Sequence, residues 1–463
     1  VRRLVVLLIL YATMQGAFKL AGASAGSPTL MLLGFLVLAA YSVGEFVGPV
    51  GIPKIVGYLL AGLLFGPPGL GYVSPQALRE LAPVGNLAIA LIAFLAGAEL
   101  QLDELKARWS GIARMTLLEL LATFVLLTVT LVLLRGAVPA LAQVPLVEAA
   151  VFAMLFAAVA VVHSPAATIA LLSETRASGP VARYTLGVVL LTDVAVVLLF
   201  TAVLAVARAL VPPAGGAVVP SVGAVAWEIG GAVLGPGAPG GGGGGARGGG
   251  GGGGPGGGGG GGGGPVGGGV ALYLRFIRRE LFIFAILFTL LGAELARLAH
   301  VETLLTLLVA GFVAENGAGG GRGTEFRHAM ERAAAPIFVV FFALAGARLD
   351  PGALLPLWPV VLPLVLVRML AIRWGTRRGG AWAGVPSPVA GRVWLGLVSQ
   401  AGVAIGLAAV VADVYPTRGA ALQTLLLATI AVNQTLGPLL FRLALARAGE
   451  LAPPERAPRE AAA

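Results

Sequence analysis

Apolar runs long enough to cross about 30 Å of hydrocarbon recur along the whole chain. They lie at 4–20, 29–47, 51–66, 81–100, 113–134, 146–173, 181–207, 272–296, 301–315, 330–348, 353–374, 391–412 and 418–445. A weaker run begins near Val222 and brings the number to fourteen. The pattern predicts an all-α polytopic membrane protein of 13–14 transmembrane helices.

Composition agrees. Of 463 residues, 58% are hydrophobic and 11% charged, with a mean hydropathy of +0.94. A soluble domain carries about 25% charged residues, so the lipid bilayer is the expected surroundings. The net charge of +10 does not indicate nucleic acid, because the basic residues stand singly or in small groups between apolar runs. Cysteine is absent, and His163, His300 and His328 are too scattered for a zinc motif. No cofactor is implied.

The basic residues instead report topology. If the fourteen runs alternate sides, 22 of the 31 Lys and Arg residues collect on one side, among them Lys54, Arg114, Arg373, Arg377, Arg378 and Arg447. Seven collect on the other. Cytoplasmic loops are enriched in Lys and Arg, so both ends of the chain are expected in the cytoplasm and the C-terminus faces it. The weak run near Val222 is needed for this alternation.

The chain divides on this reading into 1–28, 29–208, 209–271, 272–447 and a disordered cytoplasmic tail, 448–463. The first piece, with Arg2-Arg3 before Leu4 to Phe18, reads either as a cleaved signal peptide or as an extra span. The third is a linker span interrupted by a tract, Gly235 to Gly269, in which 27 of 35 residues are glycine. Each glycine costs about 1 kcal/mol relative to alanine in a helix, so the tract is expected to be a loop.

The two long pieces are related. Under a constant shift of 249 residues, Leu59-Leu60-Ala61-Gly62 falls on Leu308-Val309-Ala310-Gly311. Phe94-Leu95-Ala96-Gly97-Ala98 falls on Ala343-Leu344-Ala345-Gly346-Ala347, and Trp109 meets Trp358. Matching runs cross in opposite senses: 51–66 starts at the basic side and 301–315 at the other. Inverted repeats are a signature of secondary transporters, whose sites lie near the midplane on broken helices.

Intramembrane polar residues mark candidate chemistry. Asp193 stands ten residues past Arg183, about 15 Å along a helix and so near mid-membrane. The preceding run carries His163-Ser164-Pro165, followed by Thr168. Pro165 breaks the helical ladder and frees oxygens that suit a dehydrated cation. Asp193, Thr192, Ser164 and Thr168 are the candidate cation ligands, and His163 is expected to bond a carbonyl. In the second copy, Gln400 lies in the run matching that of Pro165, and Asn433 in the run matching that of Asp193. Glu119 and Arg368 correspond under the 249 shift and are expected either to form a buried ion pair or to snorkel to the cytoplasmic face.

These features, with the run Gly51 to Gly62 and Phe94 to Leu100, resemble the monovalent cation:proton antiporters. The likeness is to the bacterial branch that includes potassium-efflux and sodium/proton exchangers, and it covers roughly residues 30–445. It implies a homodimer with a dimerisation domain and a mobile core of crossed, broken helices, here the Pro165 and Gln400 runs. It also implies inner-membrane localisation and exchange of Na+ or K+ for a proton. Asp193 matches the family's essential carboxylate, which binds either the proton or the cation. Thr192 stands where some members have a second acid, and a single acid suggests electroneutral exchange. Gln400 stands where relatives often carry a basic residue, which leaves charge compensation in question.

A passive cation channel is the alternative, although neither a filter nor charged rings are evident. An enzyme is not expected: an aspartyl intramembrane protease needs two central Asp residues, and adjacent His163-Ser164 make a poor dyad.

Overall fold

In the computed structural model, residues 29–98, 102–212, 281–298, 303–317, 336–349, 352, 355–400 and 403–452 are described. The expected runs at 4–20 and near Val222, the glycine tract, and the tail from 453 onwards lie outside the described residues.

In chain order the helices are α1 (Thr29–Val47), α2 (Lys54–Phe65), α3 (Pro75–Glu80), α4 (Ala82–Ala98), α5 (Leu102–Leu133), α6 (Leu146–Ala160), α7 (Pro165–Thr175) and α8 (Pro180–Leu210). After them come α9 (Leu281–Leu298), α10 (Thr303–Gly317) and α11 (Pro336–Ala347). The remainder are α12 (Trp358–Trp382), α13 (Ser387–Gly396), α14 (Val403–Val414) and α15 (Pro416–Ala448). Among the described residues there are no strands.

Each expected run within these residues is helical, and the differences from the sequence reading are informative. The 146–173 and 391–412 runs are each two helices, α6–α7 and α13–α14, with non-helical backbone at 161–164 and at 397–400. The 113–134 run begins eleven residues earlier, at Leu102. The extra turns hold Asp103, Glu104, Lys106 and Arg108, which hydropathy does not register as span. Among the described residues six segments are long and apolar enough to cross a membrane: Thr29–Val50, Leu105–Leu133, Leu146–Thr175, Pro180–Leu210, Trp358–Trp382 and Pro416–Ala448.

The chain clusters into two units. Val1–Ile89, Asp103–Val219 and Ala333–Ala463 form one, and Ala90–Leu102 with Pro220–Arg332 form the other. In the first unit α6 is the central element. Ten of its fifteen residues are buried, Phe152 and Phe156 among them. A helix apolar on all sides belongs inside a bundle, and α6 packs in one core with residues of α8, α12, α14 and α15. The outward faces are also apolar: Leu121 and Val125 on α5 and Leu366 and Leu370 on α12 are exposed. In water such faces would be a liability, whereas in lipid they are solvated. Ion pairs Lys54–Glu45 and Arg418–Glu148 lie beside helix ends.

The 249-residue repeat reappears as packing. In the first unit, a Cβ on Gly62 of α2 would collide with the carbonyl oxygen of Ala343 in α11, and one on Gly346 with that of Leu59. In the second unit, a Cβ on Gly311 of α10 would collide with the carbonyl oxygen of Phe94 in α4, and one on Gly97 with that of Leu308. Shifting the first pair of contacts by 249 yields the second pair. Each copy's first motif glycine therefore crosses the other copy's second, with backbones in contact, as small residues permit in membrane helices.

Candidate functional site

The site lies in the first unit and is built from two interrupted spans. After α6 ends at Ala160, residues 161–164 leave the helix and α7 restarts at Pro165. Proline suits the first helical position because its missing N–H would have no intrahelical partner there. Ser164 caps the restart, its Oγ accepting the Ala167 N–H at 3.2 Å. Thr168 Oγ1 donates to the Ser164 carbonyl at 3.0 Å. Both candidate ligand hydroxyls are thus occupied with the first turn of α7, although each oxygen keeps a lone pair. In the second span α13 ends at Gly396 and α14 restarts at Val403.

Each interruption leaves carbonyls without helical partners. Arg368 of α12, 1% exposed, answers both interruptions at once. Its Nε donates to the Ala160 carbonyl at 2.8 Å and its Nη2 to that of Val162 at 2.9 Å. Its Nη1 donates to the Val398 carbonyl at 2.8 Å, and Nη2 also reaches that of Leu397 at 3.4 Å. Each helix C-terminus carries about half a negative charge, so one guanidinium is of the right size to balance the ends of α6 and α13 together.

Arg368 also meets His163. Its Nη2 lies 3.1 Å from His163 Nδ1, and His163 Nε2 lies 3.1 Å from Glu119 Oε1 on α5. Both His163 and Glu119 are buried. A guanidinium can only donate, so Nδ1 offers its lone pair and the ring proton sits on Nε2, directed at the carboxylate. Thr192 Oγ1 of α8 donates to the same Glu119 oxygen at 3.1 Å. Glu119 and Arg368 therefore share an interior, but His163 stands between them. A direct ion pair and a snorkelling pair both give way to this bridged arrangement. His163 bonds a carboxylate and a guanidinium here, where a carbonyl was expected.

The second copy's amides join the same chain of contacts. Gln400 Nε2 donates to the Ala160 carbonyl at 2.7 Å, the oxygen that also accepts from Arg368. Asn433 Nδ2 donates to Gln400 Oε1 at 2.7 Å. Polar contact then runs unbroken from Asn433 through Gln400, Ala160, Arg368, His163 and Glu119 to Thr192. Arg368 and Gln400 thus donate to one carbonyl, so a buried guanidinium lies beside the Gln400 amide.

Asp193 follows Thr192 on α8 and is buried, at 9% exposed. Successive helical residues are turned by about 100°, so Thr192 can face Glu119 while Asp193 faces elsewhere. Among the described residues, Glu119 Oε2 and Asn433 Oδ1 are buried acceptors without a hydrogen bond. No group of three or more His, Cys, Asp or Glu residues that could hold a metal occurs among the described residues. A monovalent cation asks for less, since a single carboxylate with hydroxyl and carbonyl oxygens can hold it. The role of His163 as a bridge could have been suspected from one signal, a lone His two residues before the helix restart, in the residues that interrupt a span.

Residues 32–241 match the family of transmembrane sodium/hydrogen exchangers. A Na(+)/H(+) antiporter from Enterococcus hirae is 40% identical over 73 residues, 15% of this chain and 18% of that protein, so the match spans less than a fifth of that relative. A solved structure of the sodium proton antiporter MjNhaP1 from Methanocaldococcus jannaschii superposes with a TM-score of 0.62, at 16% identity, over 90% of this chain and 98% of that one. An electron-microscopy structure of the same antiporter gives 0.65, at 16% identity, over 92% and 99%. At such identity the likeness is one of fold. Sequence and fold point the same way: residues 32–241 are similar to the transmembrane sodium/hydrogen exchangers, and the chain shares the fold of a sodium proton antiporter.

Proposed function

We propose that the protein exchanges a monovalent cation, Na+ or K+, for a proton across the membrane, with Asp193 as the group for which the two compete. The observation that carries this reading is a buried carboxylate on α8 directly after Thr192, at the end of the polar chain that ties the two helix interruptions together. A carboxylate at this depth is costly to charge, and a proton or a cation relieves that cost in turn. Oxygens of Ser164 and Thr168 and the free acceptor of Asn433 are the supporting ligands. Pro165 holds the interruption open. Arg368, His163, Gln400 and Glu119 keep its carbonyls and helix ends balanced, so that the cargo need not compensate them. With Glu119 engaged by His163 and Thr192, Asp193 is the one acid left to the cargo, and exchange is one cation for one proton and electroneutral, in a homodimer.

The test is a vesicle assay of pH-gradient dissipation with sodium, potassium and lithium in turn, repeated under a clamped membrane potential. Asp193→Asn is expected to abolish exchange while the protein remains folded. Cation-driven proton flux that survives in the Asn variant would remove Asp193 from the mechanism. Cation flux without proton counter-movement would instead identify a passive channel.

A further inference from the structure

Two depressions on the outer surface of the first unit meet at the same pair of arginines. The larger, about 1000 Å³, runs along the seam between α5 and α12. The helices are antiparallel there: Gly375 packs on the backbone of Glu119, and Gly379 on that of Met115. The walls of the depression include Leu118, Leu121, Val125, Leu126 and Leu370, with Trp374 beside them. From Leu370 to Arg378 the groove follows eight residues of α12, about 12 Å. At its far end stand Arg373, Arg377 and Arg378.

The smaller depression, about 550 Å³, continues from Arg373 and Arg377 and adds Arg392 of α13 and Arg447 of α15. Five arginines thus surround one end of an apolar trough, and no acidic residue lines either part. Among the described residues none of the five forms an ion pair. Arg373 lies over the ring of Trp394 at 5.8 Å, and Arg392 Nη1 donates to the Pro388 carbonyl at 2.6 Å. Arg377, Arg378 and Arg447 are exposed.

We infer that this composite groove binds an anionic glycerophospholipid, its phosphate among Arg373, Arg377 and Arg378 and an acyl chain along the α5–α12 seam. Charge selects the headgroup, because guanidinium groups bind phosphate oxygens in pairs and basic pockets between membrane helices accept such lipids. The trough selects a lipid over a soluble phosphate, because its walls are exposed leucine and valine that water solvates poorly and a chain covers. Trp374, where trough and arginines meet, has the amphipathic ring favoured at the edge of the hydrocarbon. Asp193 does not line the groove, nor do the residues at either helix interruption, although Arg392 stands on α13.

Trp374 supplies the test. The full-length protein is reconstituted in phosphatidylcholine vesicles containing phosphatidylglycerol, with bromine on the acyl chains of one lipid or the other. Contact quenching of Trp374 is read as the difference between wild type and Trp374→Phe. Brominated phosphatidylglycerol is expected to quench with an apparent preference of at least about fivefold over phosphatidylcholine, the factor contributed by one arginine near an anionic surface. The preference is expected to vanish in R377Q/R378Q, to persist in R377K and R378K, and to be unaffected by R135Q, beyond the other end of α5. Quenching by brominated phosphatidylcholine reports that the variant's groove is intact. If the double variant does not reconstitute, R378Q alone carries the test. Equal quenching by both lipids, a preference that survives loss of Arg377 and Arg378, or full displacement by glycerol phosphate at constant ionic strength would overturn the inference.

Discussion

Arg368 and His163 come from spans 205 residues apart, and their side chains meet at 3.1 Å between guanidinium Nη2 and imidazole Nδ1. That contact orients the ring so that Nε2 faces Glu119. It also sets Arg368 where its other nitrogens reach the carbonyls of both interrupted spans. A cation buried this deeply is tolerable because every part of it is engaged.

Replacing Arg368 is therefore expected to be among the most damaging single changes. Arg368→Gln should lower stability by about 3–5 kcal/mol, the range for breaking a buried charged network. Arg368→Lys should recover only part, since three donors on one nitrogen cannot span acceptors on two helix ends. Thermal unfolding of the purified protein in detergent checks both, and a Lys variant as stable as wild type would refute the bridging role.

His163→Ala should leave the Glu119 carboxylate buried with Thr192 as its one remaining donor, at a cost of about 1–3 kcal/mol. Glu119→Gln keeps an acceptor for both donors and should cost less than Glu119→Ala. A double-mutant cycle between positions 119 and 163 should show coupling, and strict additivity would mean that the 3.1 Å contact carries no energy.

The glycine crossings admit a sharper comparison. Gly62→Val and Gly346→Val each put atoms where a facing carbonyl already stands and should abolish folded yield. Gly34→Ala, where a Cβ meets nothing within 4 Å, should be neutral or slightly stabilising. Yield and monodispersity on size exclusion distinguish them. By the repeat, Gly97→Val and Gly311→Val should mirror the first pair.

Glu450, just past α15, accepts the N–H groups of Val181 and Ala182 at 2.8 and 2.9 Å and so caps α8. Glu450→Ala should destabilise by about 1 kcal/mol, as loss of a helix N-cap does. It should also speed amide exchange at Val181 and Ala182. Unchanged exchange there would show that the carboxylate does not hold the helix start.

The amino-acid order alone specifies much of this protein. Span positions follow from hydropathy because the cost of exposing polar backbone to lipid is local and large. The interruption at Pro165 follows from one missing N–H, and the burial of Asp193 from its place inside an apolar run. The repeat was legible because two glycine motifs and a Trp pair share one offset. Helix ends were less legible: α5 extends through charged turns that leave the apolar stretch but not the helix. The break in the second span was anticipated only through resemblance, since Ser399 and Gln400 carry no proline.

Tertiary structure decided the partners. Nothing within a window of sequence shows that His163 stands between Glu119 and Arg368, or that Arg368 and Gln400 share the carbonyl of Ala160. Those contacts join groups 44 to 240 residues apart. They depend on which faces of α5, α8, α12 and α15 turn towards α6, and a side chain's cost of burial says that it needs a partner without saying which. The requirement was written in the sequence, and packing chose how it was met.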